Sequence, residues 1–164
     1  MAVDGLTRNM LVYVDGSEEC IAAAQAAIIM AKKHSANLFA LYVVNVSLLE
    51  ELLKARILVK LEEMDYRQDL ERDGRRYLHY VAELARKKGV EMHTELVKGV
   101  VNREVVKYIQ EKGIDLLFMG EFETIRSAKD THYDEAAWIF RKAECSILIV
   151  KQTDKIERIY NNLE

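Results

Sequence analysis

Proline is absent from all 164 residues. Helices and strands must therefore stop at glycines and short polar turns, without a pyrrolidine ring to break them. Cysteine is scarce as well. Cys20 and Cys145 lie far apart without a CxxC, which argues against a disulfide framework and fits a reducing cytoplasm. Cys145, just ahead of an apolar run, reads as a buried structural thiol and not as a nucleophile. The four histidines, His34, His79, His93 and His132, show no ligand spacing such as HExxH, so no metal site is expected. Long apolar runs are missing. The stretch Phe39 to Val44 is strand-sized and far short of a bilayer span. The first residues carry no basic segment leading into an apolar one, so no secretory signal is expected there. Neither charge sign dominates: 24 basic and 27 acidic residues leave a formal net charge of −3. Such a balance gives no general pull toward nucleic acid or an anionic membrane, and neither is expected as a partner. The basic runs at 72–76 and 86–88 have no interleaved aromatic ladder and read as solvated faces. No GxSxG, P-loop or GxGxxG motif occurs.

What the sequence does contain is a regular alternation. Met10 to Val14 is a short apolar run closed by Asp15-Gly16-Ser17, a buried strand followed by a turn. Asp15, paired with Glu18, or Ser17 alone would cap the alanine-rich helix of residues 18–34. Residues 37–44 are nearly continuously apolar, as strands covered on both faces tend to be. The segment 47–88 has helical spacing throughout. It is expected to be one long helix, or two broken somewhere between Asp65 and Gly74, with Gly89 as the stop. A strand over 91–98, a helix over 101–112, a strand over 116–119, a polar loop over 121–133, a helix over 134–143 and a strand over 146–151 follow. The tail 152–164 is polar and partly helical in expectation. Strands alternating with helices predict an α/β fold, a doubly wound five-stranded parallel sheet with helices on both faces. One domain spans residues 1–164, with its core at 9–151.

Those residues resemble the universal stress protein family over Asn9 to Lys151. The resemblance rests on Met10-Leu-Val-Tyr-Val-Asp-Gly-Ser-Glu18, the strand Leu38 to Asn45, and Gly99-x5-Val105-x3-Ile109. Gly113-Ile-Asp-Leu-Leu-Phe-Met-Gly120 and the closing helix and strand, Ala136 to Lys151, complete it. It implies strand order 3-2-1-4-5 and a homodimer paired through the fifth strand, 146–151. It also implies a ligand crevice between strands 1 and 4. In nucleotide-binding members the adenosine contacts would map to Asp15 and Val43, with Met119 and Gly120 opening the phosphate loop. The plainer reading stands beside this one: Asp15 as a helix cap and Val43 as core.

The chain departs from the family pattern in that loop. ATP-binding members have G-x2-G-x9-G-[ST], whose glycines expose N–H groups to phosphate. Here Gly120 is kept, but Glu123, Tyr133 and Asp134 hold the other three positions. Glu121, Glu123, Asp134 and Glu135 would place carboxylates where a triphosphate belongs. At about 6 Å and an effective dielectric near 20, each unit-charge pair repels by roughly 3 kcal/mol before screening. Arg126, Lys129 and His132 offset part of this. The expected function is a non-catalytic stress or regulatory protein without tight ATP binding and with no bound cofactor. The alternative is an adenine-nucleotide sensor or slow ATPase, with ATP or AMP held by an unorthodox loop. A third reading makes 47–88 a helical face for a protein partner. Asp15, Glu121 and Glu123 as an acid–base cluster have no substrate to specify them and read as surface acids.

Overall fold

The computed structural model describes residues 8–56, 59–121 and 131–164, with the side chains of Leu48, Leu61 and residues 131–134 excepted. Five strands, β1 (Asn9–Val14), β2 (Asn37–Asn45), β3 (Met92–Gly99), β4 (Leu116–Gly120) and β5 (Ser146–Val150), form one sheet in the order β3-β2-β1-β4-β5. Every pairing is parallel, and Met10 lies opposite both Leu38 and Leu116, so β1 runs through the middle. The helices are α1 (Glu18–His34), α2 (Val46–Lys54), α3 (Lys60–Lys87), α4 (Val101–Lys112), α5 (Thr131–Lys142) and α6 (Thr153–Asn161).

Alternation along each strand divides the core into two layers. Met10, Val12 and Val14 of β1 join Leu38, Ala40, Tyr42, Leu116 and Phe118 beneath α1 and α3, with Tyr160 of α6 in the same layer. Leu11, Leu41, Val43, Leu117 and Met119 face the other way, against Val101, Val105, Tyr108 and Ile109 of α4 and Ile139 of α5. Each fully buried aliphatic side chain contributes about 1.5–3 kcal/mol. The fold is the doubly wound parallel sheet that the strand–helix alternation predicts, in the expected order.

The 47–88 segment breaks elsewhere than expected. α2 ends at Lys54, Arg56 takes a left-handed φ of 54°, and α3 then runs unbroken for 28 residues. The Val59 N–H donates to Glu62 Oε2 at 3.0 Å at the start of α3. Gly74, one limit of the expected break, sits in mid-helix because its missing side chain is what the packing uses. A Cβ there would lie 2.5 Å from Tyr42 Cδ1 and 2.9 Å from Leu96 Cδ1. The glycine lets α3 settle on β2 and β3, and that contact outweighs a propensity cost of about 1 kcal/mol. The tail is more ordered than its polarity suggests. In α6, Tyr160 is buried and its hydroxyl donates to the Leu84 carbonyl of α3 at 2.7 Å.

Candidate functional site

In this strand order the chain leaves β1 toward α1 on one face and leaves β4 toward α5 on the other. The carboxyl ends of two neighbouring strands therefore part, and open α/β sheets bind ligands in the crevice so formed. The residues at the end of β1 build a compact turn. Asp15 Oδ1 accepts the Ser17 N–H at 2.9 Å and the Ser17 hydroxyl at 2.6 Å. Ser17 Oγ in turn accepts the Cys20 N–H at 3.2 Å, which makes Ser17 the N-cap of α1. Of the caps open in the sequence, Ser17 is the one used. Asp15 does not cap α1 itself; it holds the residue that does, and its carboxylate stays exposed beside the positive end of the helix dipole.

Opposite this turn, the end of β4 comes within contact of the first turn of α1. A Cβ on Gly120 would lie 2.6–2.8 Å from Glu19 C, Cβ and O, so no other residue fits without displacing backbone. Met119 and Val43 belong to the layer beneath α4 and α5, at 2% and 6% exposure. Such burial leaves only their edges for a ligand to touch. Asp15 thus follows the end of β1 and Gly120 closes β4, while Val43 and Met119 lie in the buried layer beneath α4 and α5. Glu121, next after β4, pairs with Lys151 at 3.7 Å, a surface interaction of little energy. Glu123, Arg126 and Lys129 lie outside the described residues, as do the side chains of His132, Tyr133 and Asp134.

Electrostatics at the head of the crevice reveal a residue that reading the sequence missed. Tyr13, half-buried on the α4–α5 side of β1, has its hydroxyl pushed far above the ordinary range. Burial is the main cause, and the carboxylates of Asp15 and Glu135 add to it. Cys20, fully buried, is pushed up to about 11 by burial and then by Asp15, so it is no reactive thiolate at neutral pH. Burial also pushes the half-buried Cys145 thiol up. Period-two alternation from Leu11 placed Tyr13 on that layer, but nothing local said that two acids would converge on it. Among the described residues no three His, Cys, Asp or Glu side chains gather as a metal site would require, and no helix is long and apolar enough to cross a membrane.

The fold and this crevice have relatives. The family model of the universal stress proteins matches residues 7–151. A universal stress protein of Methanocaldococcus jannaschii is 30% identical over 152 residues, covering 93% of this chain and 86% of that protein. Among solved structures, a universal stress protein family member from Burkholderia pseudomallei superposes with a TM-score of 0.68 at 22% identity, covering 89% of this chain and 97% of the other. An Arabidopsis thaliana family protein with AMP bound superposes at 0.62 with 16% identity, covering 88% and 91%. With a match that runs from before β1 to the end of β5, this chain belongs to the universal stress protein family.

Proposed function

We propose that this member is a non-catalytic regulatory protein of the cytoplasm, a homodimer that acts through partners and binds no ATP tightly. The observation that carries this reading is the acid load of the crevice. Asp15 and Glu135 both act on Tyr13, and Asp15 already supplies the anion at the α1 N-terminus. In the sequence after Gly120, Glu123, Tyr133 and Asp134 stand where ATP-binding members of the family carry glycine, glycine and Ser or Thr, and Tyr133 and Asp134 fall within α5. A polyanion approaching Asp15 and Glu135 meets like charge. Calorimetric titration of the native protein with Mg-ATP tests the reading, and no binding in the micromolar range is expected. A micromolar dissociation constant, or adenine nucleotide carried through purification, would overturn it.

A second reading, a sensor of AMP through Asp15, Val43, Met119 and Gly120, is favoured by one observation. The AMP-bound Arabidopsis thaliana protein shares the fold, and a monophosphate meets less repulsion than a triphosphate in an acidic crevice. AMP in the same calorimeter separates the two, with Asp15→Ala as the control that must abolish any heat.

Support for the dimer comes from the two sheet edges. β3 carries His93, Glu95 and Lys98 along its length, whereas Ile147, Leu148 and Ile149 of β5 carry no charge. Charged edges resist strand addition and uncharged ones invite it. Light scattering on the eluting protein should give twice the chain mass, and Ile149→Lys should give the single chain. A wild-type monomer would end the dimer proposal. For a partner protein, the proposed surface is the α2–α3 segment, where Val59, Met64 and Tyr66 are exposed.

A further inference from the structure

The turn that presents Asp15 is built against an aromatic side chain from a distant helix. Gly16 has a φ of +86°, and a Cβ there would lie 2.7 Å from Cε2 and 3.0 Å from Cζ of Tyr77 in α3. The position is thus restricted to glycine twice over, by backbone conformation and by the ring that fills the space. Tyr77 stacks on Tyr42 of β2, with ring centroids 6.5 Å apart and planes inclined by 17°. Tyr42 in turn fills the space of the missing side chain at Gly74, 2.5–2.6 Å from where a Cβ would stand. The two rings therefore span from the Gly16 backbone to the Gly74 backbone, with glycine as the seat at each end. The Arg76 guanidinium lies 5.6 Å from the Tyr77 centroid and adds a cation–π contact.

We propose that Tyr77 is a positioning residue for the candidate site: through Gly16 it fixes the Asp15-Gly16-Ser17 turn, and with it the Asp15 carboxylate, at the mouth of the crevice. A stacked pair held between two backbone surfaces has little freedom to shift, so the turn inherits the position of α3. The long helix that carries the proposed partner surface thereby bears directly on the crevice. The functional meaning of this arrangement rests on the assignment of Asp15 to the site, but its test needs no ligand. ATP binding would sink the regulatory reading and leave this one untouched.

Amide hydrogen exchange, read by NMR on the full chain, measures the turn through two amides. These are Ser17, bonded to Asp15, and Cys20, bonded to Ser17. Phe118 in β4 is the reference for general stability. Tyr77→Phe keeps the ring and should leave all three amides as in the wild type. Tyr77→Leu, or Tyr77→Ala if it folds, should speed exchange at Ser17 and Cys20 by about tenfold relative to Phe118, as expected for local opening. Gly74→Ala, which displaces Tyr42, should do the same from the far end. If Ser17 and Cys20 change only in step with Phe118, or not at all, Tyr77 is ordinary core and the proposal fails.

Discussion

Gly120 illustrates how a single residue can be required for contact and not for flexibility. Its neighbour across the crevice is the backbone of Glu19, not a side chain that could turn away. Gly120→Ala should therefore cost about 1–3 kcal/mol as β4 and α1 are forced apart, and a denaturant titration would read it as a lower midpoint. An unchanged midpoint would mean that the first turn of α1 yields freely. Asp115 makes a similar point about anchoring. Its Oδ2 accepts the N–H groups of Arg8 and Asn9 at 3.0 and 2.9 Å, which ties the beginning of β1 to the beginning of β4. One carboxylate thus locks together the beginnings of two neighbouring strands.

At the scale of elements, α3 and α6 carry most of what was not expected. α3, at about 42 Å for its 28 residues, is far longer than the strands it covers, and its register on the sheet is set by Gly74. α6 is held at its far end by several groups. Tyr160 donates to the Leu84 carbonyl, and Lys88 Nζ donates to the carbonyls of Asn161 and Leu163 at 3.3 and 2.6 Å while lying 5.0 Å from the Tyr160 ring. Lys32 Nζ reaches the Glu164 carbonyl. Tyr160→Phe keeps the ring and the cation contact but removes the hydroxyl from a buried carbonyl, a loss of about 1 kcal/mol. Thermal unfolding should register it as a fall in midpoint, with α6 exchanging its amides faster. Equal stability of the two proteins would show that α6 hangs on its lysines alone.

At the scale of the molecule, parallel strands oblige their crossover helices to run the opposite way, so the helix dipoles of α1, α3, α4 and α5 point alike. Their amino ends carry Glu18 and Glu19, Glu62 and Glu63, and Glu104; their carboxyl ends carry Lys32, Lys33 and His34, Arg86 and Lys87, Lys112, and Arg141 and Lys142. Each charge complements its own dipole, so these helix ends carry acids on the crevice side and bases on the opposite side. The near-zero net charge conceals this segregation. Titration at high pH is a second whole-molecule property. Burial holds the hydroxyls of Tyr13, Tyr42, Tyr108 and Tyr160 above the ordinary tyrosine range, and pushes the Cys20 thiol up to about 11. The native state holds these protons after the unfolded chain has released its own. Their stabilisation is complete below the unfolded values and is lost as pH climbs through the folded ones. The denaturant midpoint should hold near about pH 8 and drop by about pH 11, with the tyrosinate absorbance of these four rings appearing together with unfolding. Ionisation of all tyrosines well before the fold is lost would contradict that burial.

The sequence by itself determined the strands, their alternation with helices, the Asp15-Gly16-Ser17 turn and the departures from the phosphate loop. The first three are signals of composition and period within one stretch of chain, where local propensity decides, and the loop departures are legible only against the pattern of the family that the residues resemble. Only the tertiary structure decided where 47–88 breaks, that Gly74 is a seat and not a stop, that Ser17 caps α1 while Asp15 holds it, and that Tyr77 backs Gly16. Each of these depends on how closely two backbones distant in sequence approach, and that distance does not exist until the layers have packed.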